Sequence, residues 1–422
     1  MSWVVMKMGD FLKHRDLRFK PKDPKIKGLK RIEKIDFSGN IFISEKPSNT
    51  DMVLVKKGDL IISGINVEKG AMAIYQGDED ITATIHYSSY EFDEKKIDID
   101  YLKNFLRSKK FTEVLKEQVI GGIKTEIKPK HLLPLEIEVP IDIEEQREII
   151  KHFEIQNRKV EHLDSENNHQ LDLLKKLRQQ ILQDAVKGKL VPQDPNDEPA
   201  IKLLERIKAE KEKLVREKKI KKEKPLTEIK PEEIPFEIPE NWAWCRLGEM
   251  AINRDGERKP ISQNEREKRA KIYDYYGASG IIDKIDGYTH DGEFLLIGED
   301  GANLRMKSTP IAFKAKGKFW VNNHAHVLDF VHPITMDYME NCLNGIDINS
   351  FITGGFQPKL SQGNLNIIPI PLPTLSEQNR IVTKINQLMT LCDELEQSIQ
   401  QNQKFTQELL QVALREALEQ KN

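Results

Sequence analysis

The 422-residue chain is long enough for more than one hydrophobic core, since domains average roughly 150 residues. Its formal net charge of -2 and pI near 6.6 lack the overall basicity typical of a nucleic-acid-binding protein. Three scattered cysteines exclude a disulfide framework, and no Cys/His cluster has zinc-ligand spacing. Residues 1–11 lack the pattern of a secretory signal, and no apolar run reaches about 18 residues, so we expect a cytoplasmic protein with no membrane contact.

Local charge is much less even than the overall charge. Residues 13–34 contain ten Lys or Arg and three Asp or Glu, a net charge of +7. A segment of this kind is either a solvated loop or a surface that binds nucleic-acid phosphates. The sequence alone leaves both interpretations open.

The chain is an internal repeat. Residues 145–189 align without a gap with residues 377–421, a shift of 232, and their apolar positions coincide. Each half also opens alike, because Trp3 and Trp242 are each followed, at the same spacing, by a glycine and an acidic residue. The repeat predicts a globular unit followed by a long helix, and then the same pair again.

Two long helices are predicted at residues 144–187 and from Ser376 to the C-terminus. Neither segment contains proline or glycine, and apolar residues recur at steps of three and four, which is a heptad seam. Both seams turn polar in the middle, at Gln170 and Asn402. Roughly 45 helical residues span about 65 Å. Packing against each other is the simplest arrangement, and separate bundles or pairing with another protomer is the alternative.

The regions around these helices have a different character. Residues 200–224 are predicted as a strongly charged helix and the proline-rich residues 225–239 as an extended connector. Inside the globular units, short β-type runs alternate with Gly, Asn and Asp turns, which indicates mixed α+β units. These runs include residues 52–55, 59–62, 294–297, 310–313 and 319–321.

No motif for catalysis or cofactor binding is present. The sequence lacks a phosphate-binding loop, a serine nucleophile elbow, an HExxH motif, kinase motifs and the Asn/Asp-Pro-Pro-aromatic tetrapeptide of amino-methyltransferases. His324-Ala325-His326 is the best metal-binding candidate, but no third ligand follows at a suitable spacing. Glu299-Asp300 is a conceivable nuclease metal site, although its flanking glycines favour a tight turn. We therefore predict no catalytic residue and no metal site.

Several stretches resemble the specificity subunits of type I restriction-modification systems. They are residues 177–195 (LRQQILQDAVKGKLVPQDP), residues 234–242 (IPFEIPENW) and the two Glu-Gln pairs that open the long helices behind a proline. Residues 296–303 (LIGEDGAN) and 320–326 (WVNNHAH) resemble one variety of that family's target-recognition domain. The resemblance covers nearly the whole chain.

The resemblance implies an α+β fold in which two mixed α/β target-recognition domains are separated by an antiparallel coiled coil of two long helices, with a pseudo-twofold internal repeat. Five segments follow from it. They are target-recognition domain 1 (1–138), the long helix of a central conserved region (139–190), a linker with a charged helix (191–235), target-recognition domain 2 (236–371), and a C-terminal long helix (372–422) that pairs with residues 144–188.

The resemblance also implies a function. Each target-recognition domain would read half of an asymmetric bipartite site in double-stranded DNA, and this non-catalytic chain would direct adenine methylation and restriction by partner subunits. Two methyltransferase subunits using S-adenosylmethionine and restriction subunits using ATP and Mg are the expected partners, and the chain itself holds no cofactor. Three alternatives stay open: an enzyme that cuts or methylates DNA by itself, a scaffold that joins proteins without touching DNA, and a specificity subunit of another restriction class.

The candidate DNA-binding residues are cationic and polar residues in turn-rich stretches. Lys and Arg bind phosphates, whereas amide, hydroxyl, imidazole and guanidinium groups contact base edges. In the first domain the candidates are Arg18, Lys20, Lys22, Asn66, Lys69, Thr84, His86, Lys124 and Thr125. In the second domain they are Arg258, Lys259, Tyr276, Ser279, Asn303, Arg305, Asn322, Asn323, His324, Gln357 and Lys359.

Overall fold

The computed structural model describes residues 2–46, 48–119 and 126–419. Contacts divide the chain into a first unit, Met1–His169 with Ile399–Asn422, and a second unit, Gln170–Ser398. Each of the two longest helices contributes residues to both units. The five segments expected from the sequence are a finer division than these two units and stay a prediction.

The first unit consists of short strands followed by helices. Its strands are β1 (Trp3–Lys7), β2 (Leu12–His14), β3 (Arg18–Phe19), β4 (Arg31–Ile35), β5 (Ile41–Ser44), β6 (Met52–Val55), β7 (Leu60–Ser63), β8 (Met72–Ile74), β9 (Ile81–Thr84), β10 (Tyr87–Phe92) and β11 (Glu136–Pro140). Its helices are α1 (Ile99–Arg107), α2 (Lys109–Gln118), α3 (Pro129–Leu132) and the first part of α4 (Ile143–Val186).

These strands form two small sheets and one isolated pair. The sheet orders are β2-β10-β7-β8 and β3-β6-β9-β4-β5, and β1 pairs antiparallel with β11. Ile61 on β7 shares a buried cluster with Ile32 and Val55 of the other sheet, so apolar side chains join the two sheets. A larger core unites β1, β2, β7 and β10 with α1, α2 and the start of α4.

The second unit alternates helices and strands around one main sheet. Its elements are α5 (Ala200–Arg216), β12 (Ala243–Arg246), α6 (Leu247–Met250), β13 (Ala251–Asn253), α7 (Gln263–Arg266), β14 (Tyr273–Gly277), β15 (Gly280–Ile285), β16 (His290–Gly298), α8 (Asn303–Met306), β17 (Ala312–Val321), β18 (Ala325–Phe330), α9 (Pro333–Gly345), α10 (Gln362–Asn366), β19 (Pro369–Leu372) and α11 (Leu375–Glu419). The six-stranded sheet has the order β13-β18-β16-β17-β14-β15, and β12 pairs antiparallel with β19. The series α10, β19, α11 thus repeats the series α3, β11, α4 of the first half.

Two elements differ from the sequence-based expectation. The runs at 310–313 and 319–321 belong to a single strand, β17, because Gly317 (φ +82°) lies opposite Gly292 of β16 and the ladder continues through it. The charged helix ends at Arg216 rather than at residue 224. Lys218 adopts a left-handed backbone (φ +57°) there, at a position where glycine is usual, so the sequence did not mark this end.

The long helices α4 and α11 run antiparallel where they meet. In the first unit, Phe153 of α4 lies in one core with Leu414 of α11. In the second unit, Arg178 of α4 donates hydrogen bonds of 2.7 Å to Asp393 and 3.0 Å to Glu396 of α11. Positions early in one helix therefore contact positions late in the other.

One of the two apolar rows in each predicted heptad seam is buried. This row has a period of seven residues and comprises Phe153, Val160, Asn167, Leu174 and Ile181 on α4, and Ile385, Cys392, Ile399 and Thr406 on α11. The other row contains Leu163, Leu177, Leu395 and Leu409, which are 46% to 52% exposed. Within the described part of the chain, no helix is both long and apolar enough to cross a membrane.

Candidate nucleic-acid interface

The repeated Glu-Gln pairs are structural. Gln146 is fully buried and accepts a 2.8 Å hydrogen bond from the backbone N–H of Asp98, whose side chain caps α1. It donates a hydrogen bond of 2.8 Å to the last carbonyl of β11. Its repeat counterpart Gln378 is also fully buried. Gln378 accepts from the Thr335 hydroxyl at 2.8 Å and donates to the Pro373 carbonyl at 3.1 Å. The same residue therefore ties a strand end and a neighbouring helix to the long helix in both halves.

Two further stretches that carry the family resemblance, residues 177–195 and 234–242, meet at the start of α11. The Trp242 indole N–H donates to Glu377 at 2.7 Å, and the Gln193 amide also donates to this carboxylate. Burial raises the pKa of Glu377. Arg380 pairs with Asp197 at 2.7 Å. These contacts hold the scaffold of the second unit together.

One cation of the basic segment 13–34 has a structural role, because it pairs with a buried carboxylate. Arg15 donates hydrogen bonds of 2.7 Å and 2.9 Å to the two carboxylate oxygens of Asp59. Asp59 is 2% exposed and also accepts from the Ser89 hydroxyl at 2.7 Å. The hydrogen bond to Asp59 raises the pKa of Arg15. This guanidinium is therefore committed to the core and is not available to a ligand.

The candidate cations of the same segment are exposed. The Lys20 side chain is 82% exposed and lies 3.0 Å from Asp51, while Arg18 lies 3.2 Å from Asp16. Lys22 is exposed as well. The segment also borders a cleft of about 420 Å³ with a basic lining. The cations that line this cleft are Lys27, Lys30, Arg31 and Lys46.

Further candidates of the first unit lie on two neighbouring loops. The loops meet where the Gly64 N–H donates to the His86 carbonyl at 2.9 Å. Asn66 and Lys69 lie on the first loop and His86 on the second, which follows Thr84, the last residue of β9. The Lys69 ammonium lies 5.5 Å from the ring centre of Phe37, and the half-exposed His86 imidazole lies 3.4 Å from Glu126. The candidates Lys124 and Thr125 lie outside the described residues.

Three loops meet at one end of the six-stranded sheet in the second unit. They are residues 299–306, 322–324 and 353–359, which we call the loop cluster. Backbone hydrogen bonds join them, from Glu299 to the His324 carbonyl at 2.8 Å and from Gly301 to the Pro358 carbonyl at 3.0 Å. The loop cluster brings together the candidates Asn303, Arg305, Asn322, Asn323, His324, Gln357 and Lys359.

The polar candidates in the loop cluster have two kinds of environment. Asn322 is 4% exposed, and its side-chain oxygen accepts from the His324 backbone at 2.8 Å. The Asn303 side-chain oxygen accepts from the Thr309 backbone at 3.1 Å, so both asparagines shape loops. Asn323 and Gln357 are exposed to solvent. The exposed pair has the better access to a ligand.

A buried ion network supports the loop cluster. Arg258, whose side chain is 14% exposed, donates to Glu299 at 2.7 Å. The His326 ring nitrogens lie 2.6 Å from an Asp255 oxygen and 2.8 Å from the Leu360 carbonyl oxygen, so this buried ring links Asp255 to the residue that directly follows the loop 353–359. Burial opposes ionisation of Asp255, but His326, the Val327 backbone N–H and the charge of Arg258 together outweigh it and lower the pKa of Asp255. The candidate Arg258 thus braces the loops from inside.

The two histidines that suggested a metal site do not act together. His324 lies 2.7 Å from Asp300, whereas His326 contacts Asp255. Glu299 is engaged by Arg258 and by Lys359, the latter at 3.3 Å. Among the residues that the structure describes, no three His, Cys, Asp or Glu side chains are arranged to hold a metal ion.

The remaining candidates of the second unit lie beside the loop cluster. Tyr276 packs against Phe319 and Phe313 at ring-centre distances of 5.4 Å and 6.1 Å, and burial raises its pKa. Ser279 is exposed in the turn between β14 and β15, and Lys259 is exposed too. Ser279 and Lys259 are therefore accessible to a ligand, whereas the Tyr276 ring packs largely against the core.

Phe356, at the tip of the loop 353–359, was missed by the sequence reasoning. Its side chain is fully exposed. The sequence-based candidates all carry a polar or charged group, and Phe356 carries neither. The available indication was the Gly354-Gly355 pair directly before it, which marks a tight turn with an aromatic tip.

The fold and the candidate surface together define a class of protein. It is a repeat protein in which two long antiparallel helices accompany two α+β units, and polar and cationic loops lie at the edges of their sheets. Residues 239–404 match the family model described as the type I restriction modification DNA specificity domain. This match agrees with the resemblance seen in the sequence over most of the second half of the chain.

Individual relatives agree with the family match. The chain is 36% identical over 251 residues to the EcoEI type I restriction enzyme specificity subunit of Escherichia coli, covering 54% of this chain and 42% of that protein. It is 37% identical over 262 residues to the EcoAI specificity subunit of Escherichia coli, covering 56% and 44%. The matched region is thus less than half of the length of either relative.

A solved structure agrees with the fold. A chain from a structure of a type I R-M system superposes with a TM-score of 0.64 at 15% identity, covering 99% of this chain and 97% of that one. The predicted α+β fold class with two long helices is confirmed.

Proposed function

We propose that this chain is the DNA-specificity subunit of a type I restriction-modification complex. It reads an asymmetric bipartite site in double-stranded DNA, one half with each unit. The observation that carries the proposal is the loop cluster, a set of exposed cationic and amide side chains on a braced frame inside the matched specificity domain. The first unit offers comparable loops around Asn66 and His86. Because the two halves differ in sequence, the two half-sites differ as well.

Affinity and specificity come from different side chains of each unit. Exposed Lys20, Lys22 and Lys69 bind phosphates in the first unit, as Arg305 and Lys359 do in the second. Amide and imidazole groups at loop tips, such as those of Asn323, His324 and Gln357, contact base edges. Affinity from the phosphate contacts falls steeply with salt, whereas discrimination between bases depends on the loop tips.

Partner subunits carry the chemistry. Two methyltransferase subunits methylate adenine with S-adenosylmethionine, and restriction subunits driven by ATP with Mg cleave DNA, while this chain is non-catalytic. The exposed leucines on α4 and α11 support docking of partner helices, since a half-exposed apolar row on a paired helix is a ready interface.

The decisive experiment is a genome-wide map of modified adenines, read by single-molecule sequencing in cells with and without this gene. Loss of methylation at one gapped, asymmetric motif is the expected result, and it also gives the target sequence. If no motif disappears although a methyltransferase copurifies with the tagged chain and is active in those cells, the proposal is wrong.

Two further measurements separate the alternatives. A self-sufficient enzyme would cut or methylate DNA as the purified chain alone, whereas a specificity subunit does neither. Reversing the charge of Lys20, Lys22 and Lys25 would leave a pure scaffold unharmed but should abolish site-specific methylation here. A specificity subunit of another restriction class would show the same methylation map with a different cleavage chemistry in its partner.

A further inference from the structure

The loop at residues 353–359 presents a bare aromatic ring. Phe356 is 107% exposed, whereas Ile352 and Pro358 at the base of the loop are buried. Aromatic rings carry a large apolar surface, and folded proteins normally cover most of it. An aromatic side chain held entirely in water therefore calls for a ligand that covers it.

The ring is held out by a braced loop. Thr353 and Lys359 exchange two backbone hydrogen bonds of 2.8 Å across the base of the loop. The Arg305 guanidinium donates to the Gly354 carbonyl at 3.3 Å. Gly354 has φ +80°, and a side chain there would collide with the Gln357 carbonyl, so the turn requires glycine. The position of the ring is thus set by the frame of the second unit.

The surroundings of the ring are those of a nucleic-acid surface. The residues next to it in the loop, Thr353, Gly354, Gly355 and Gln357, are exposed and not apolar. Lys359 closes the same loop, and its side chain is 55% exposed. The other large apolar side chain exposed in the loop cluster is Met306, which is 72% exposed. A protein-docking site would offer a broad, continuous apolar patch, whereas an apolar tip among cations and amides is how proteins insert side chains between DNA bases.

We propose that Phe356 is a wedge that enters one base step in the half-site read by the second unit and unstacks it. This inference rests on the proposed function. The cost of unstacking depends on the step, and it is lowest at flexible pyrimidine–purine steps. Phe356 therefore contributes sequence preference at a position where no hydrogen bond reads a base.

The test uses the purified complex of this chain with its methyltransferase and a duplex that carries the mapped motif. 2-Aminopurine is placed in turn at each position of both half-sites. With the wild-type chain, fluorescence rises at the target adenine that the methyltransferase flips out of the helix, and at one further step, which lies in one half-site only. In Phe356→Ala the rise at this further step is lost and affinity for the motif falls roughly tenfold or more, as for loss of one base–aromatic contact. Phe356→Leu, which keeps an apolar tip, retains part of both effects.

Matched variants isolate the role of the ring. Ile272→Ala removes a side chain that is 58% exposed, directly before β14 and at the end of that strand away from the loop cluster, and it should change neither readout. Lys359→Ala should lower the salt dependence of binding, whereas Phe356→Ala should not, because the ring is uncharged.

The outcomes are distinct. If Phe356→Ala binds the motif and raises fluorescence like the wild type, the wedge is wrong and the proposed function stands. If Phe356→Ala instead loses its methyltransferase while the DNA signal is unaffected, the ring contacts a protein and the wedge is again wrong. If the wild-type complex shows no preference for any motif duplex, the proposed function fails and the wedge fails with it.

Discussion

At the scale of single residues, burial decides which cations of the basic segment 13–34 are available to a ligand. Arg15 and Lys22 are seven residues apart and look alike in the sequence. Arg15 nevertheless pairs with the nearly inaccessible Asp59, and Lys22 is exposed. Because the sequence does not show which carboxylates are buried, it could not separate these two roles.

This difference predicts opposite consequences for two alanine variants. Arg15→Ala leaves Asp59 buried without its partner and should lower the free energy of unfolding by about 3 kcal/mol in urea titrations. Lys22→Ala should change stability by less than about 0.5 kcal/mol, but it should reduce the slope of log affinity against log salt by about 1. Equal effects of both variants on stability would contradict the assignment.

His290 makes the stability of the second unit depend on pH. Its side chain is inaccessible, and its ring stacks on Phe319 at 5.5 Å. Burial, with help from the positive charge of Arg254, lowers its pKa from 6.5 to about 4. The unfolded chain therefore binds a proton at this residue below about pH 6.5, whereas the folded chain resists protonation until about pH 4.

Stability should consequently fall as the pH drops through this window. The contribution of His290 amounts to about 2 kcal/mol lost at pH 5 relative to pH 7.5. His290→Phe should remove this part of the pH dependence, measured as free energy of unfolding at the two pH values. A dependence that persists in His290→Phe would contradict the interpretation.

The DNA-binding candidates were predicted unevenly for the same reason. Polarity and turn composition located the loop cluster, including Gln357 and Lys359, because turns at sheet ends are visible in the sequence. They could not show that the Asn322 side-chain oxygen would accept a hydrogen bond from the His324 backbone, or that Arg258 would donate to Glu299 and so brace the loops. These roles depend on contacts between residues far apart in the chain.

At the scale of elements, the sequence predicted the two long helices well. The segments predicted from residue 144 and Ser376 begin within one residue of α4 and α11, because the absence of proline and glycine together with heptad spacing is strong local information. The heptad pattern could not show that only one apolar row would be buried between the two helices. An antiparallel pair covers one side of each helix, and the second row needs another partner.

The two rows should respond differently to substitution. Ile181, which is 6% exposed, and Leu177, which is 46% exposed, lie one turn apart on α4. Ile181→Ala should cost about 2–4 kcal/mol of stability, because it opens a cavity. Leu177→Ala should cost less than about 1 kcal/mol and should weaken copurification of the methyltransferase. Retention of the full complex by Leu177→Ala combined with Leu395→Ala would show that this row is not the docking surface.

At the scale of the whole molecule, the first strand of each half pairs with the last strand of the same half. Trp3–Lys7 pairs with Glu136–Pro140, and Ala243–Arg246 pairs with Pro369–Leu372. Since paired strands lie about 4.8 Å apart, the chain leaves each set of loops beside the place where it entered. The repeat in the sequence predicted this correspondence of the halves, but the strand pairing itself joins residues more than a hundred positions apart and was not predictable.

This closure predicts that the two halves are exchangeable. Replacing residues 1–138 by the first half of another family member should change one half of the methylated motif and leave the other half unaltered. The measurement is the same methylation map, made in cells that carry the hybrid gene. A change in both halves of the motif would contradict independent reading by the two units.

The paired strands also have a consequence for inheritance. A recombination between two related genes, with its crossovers in the codons of β12 and β19, would transplant a complete set of loops whose ends already meet. Neither long helix would be altered, so the partners of the parent protein would still assemble on the hybrid. Under the proposed function, a cell lineage would in this way acquire a new target sequence in one genetic event, without passing through a series of point mutations that must each preserve the fold.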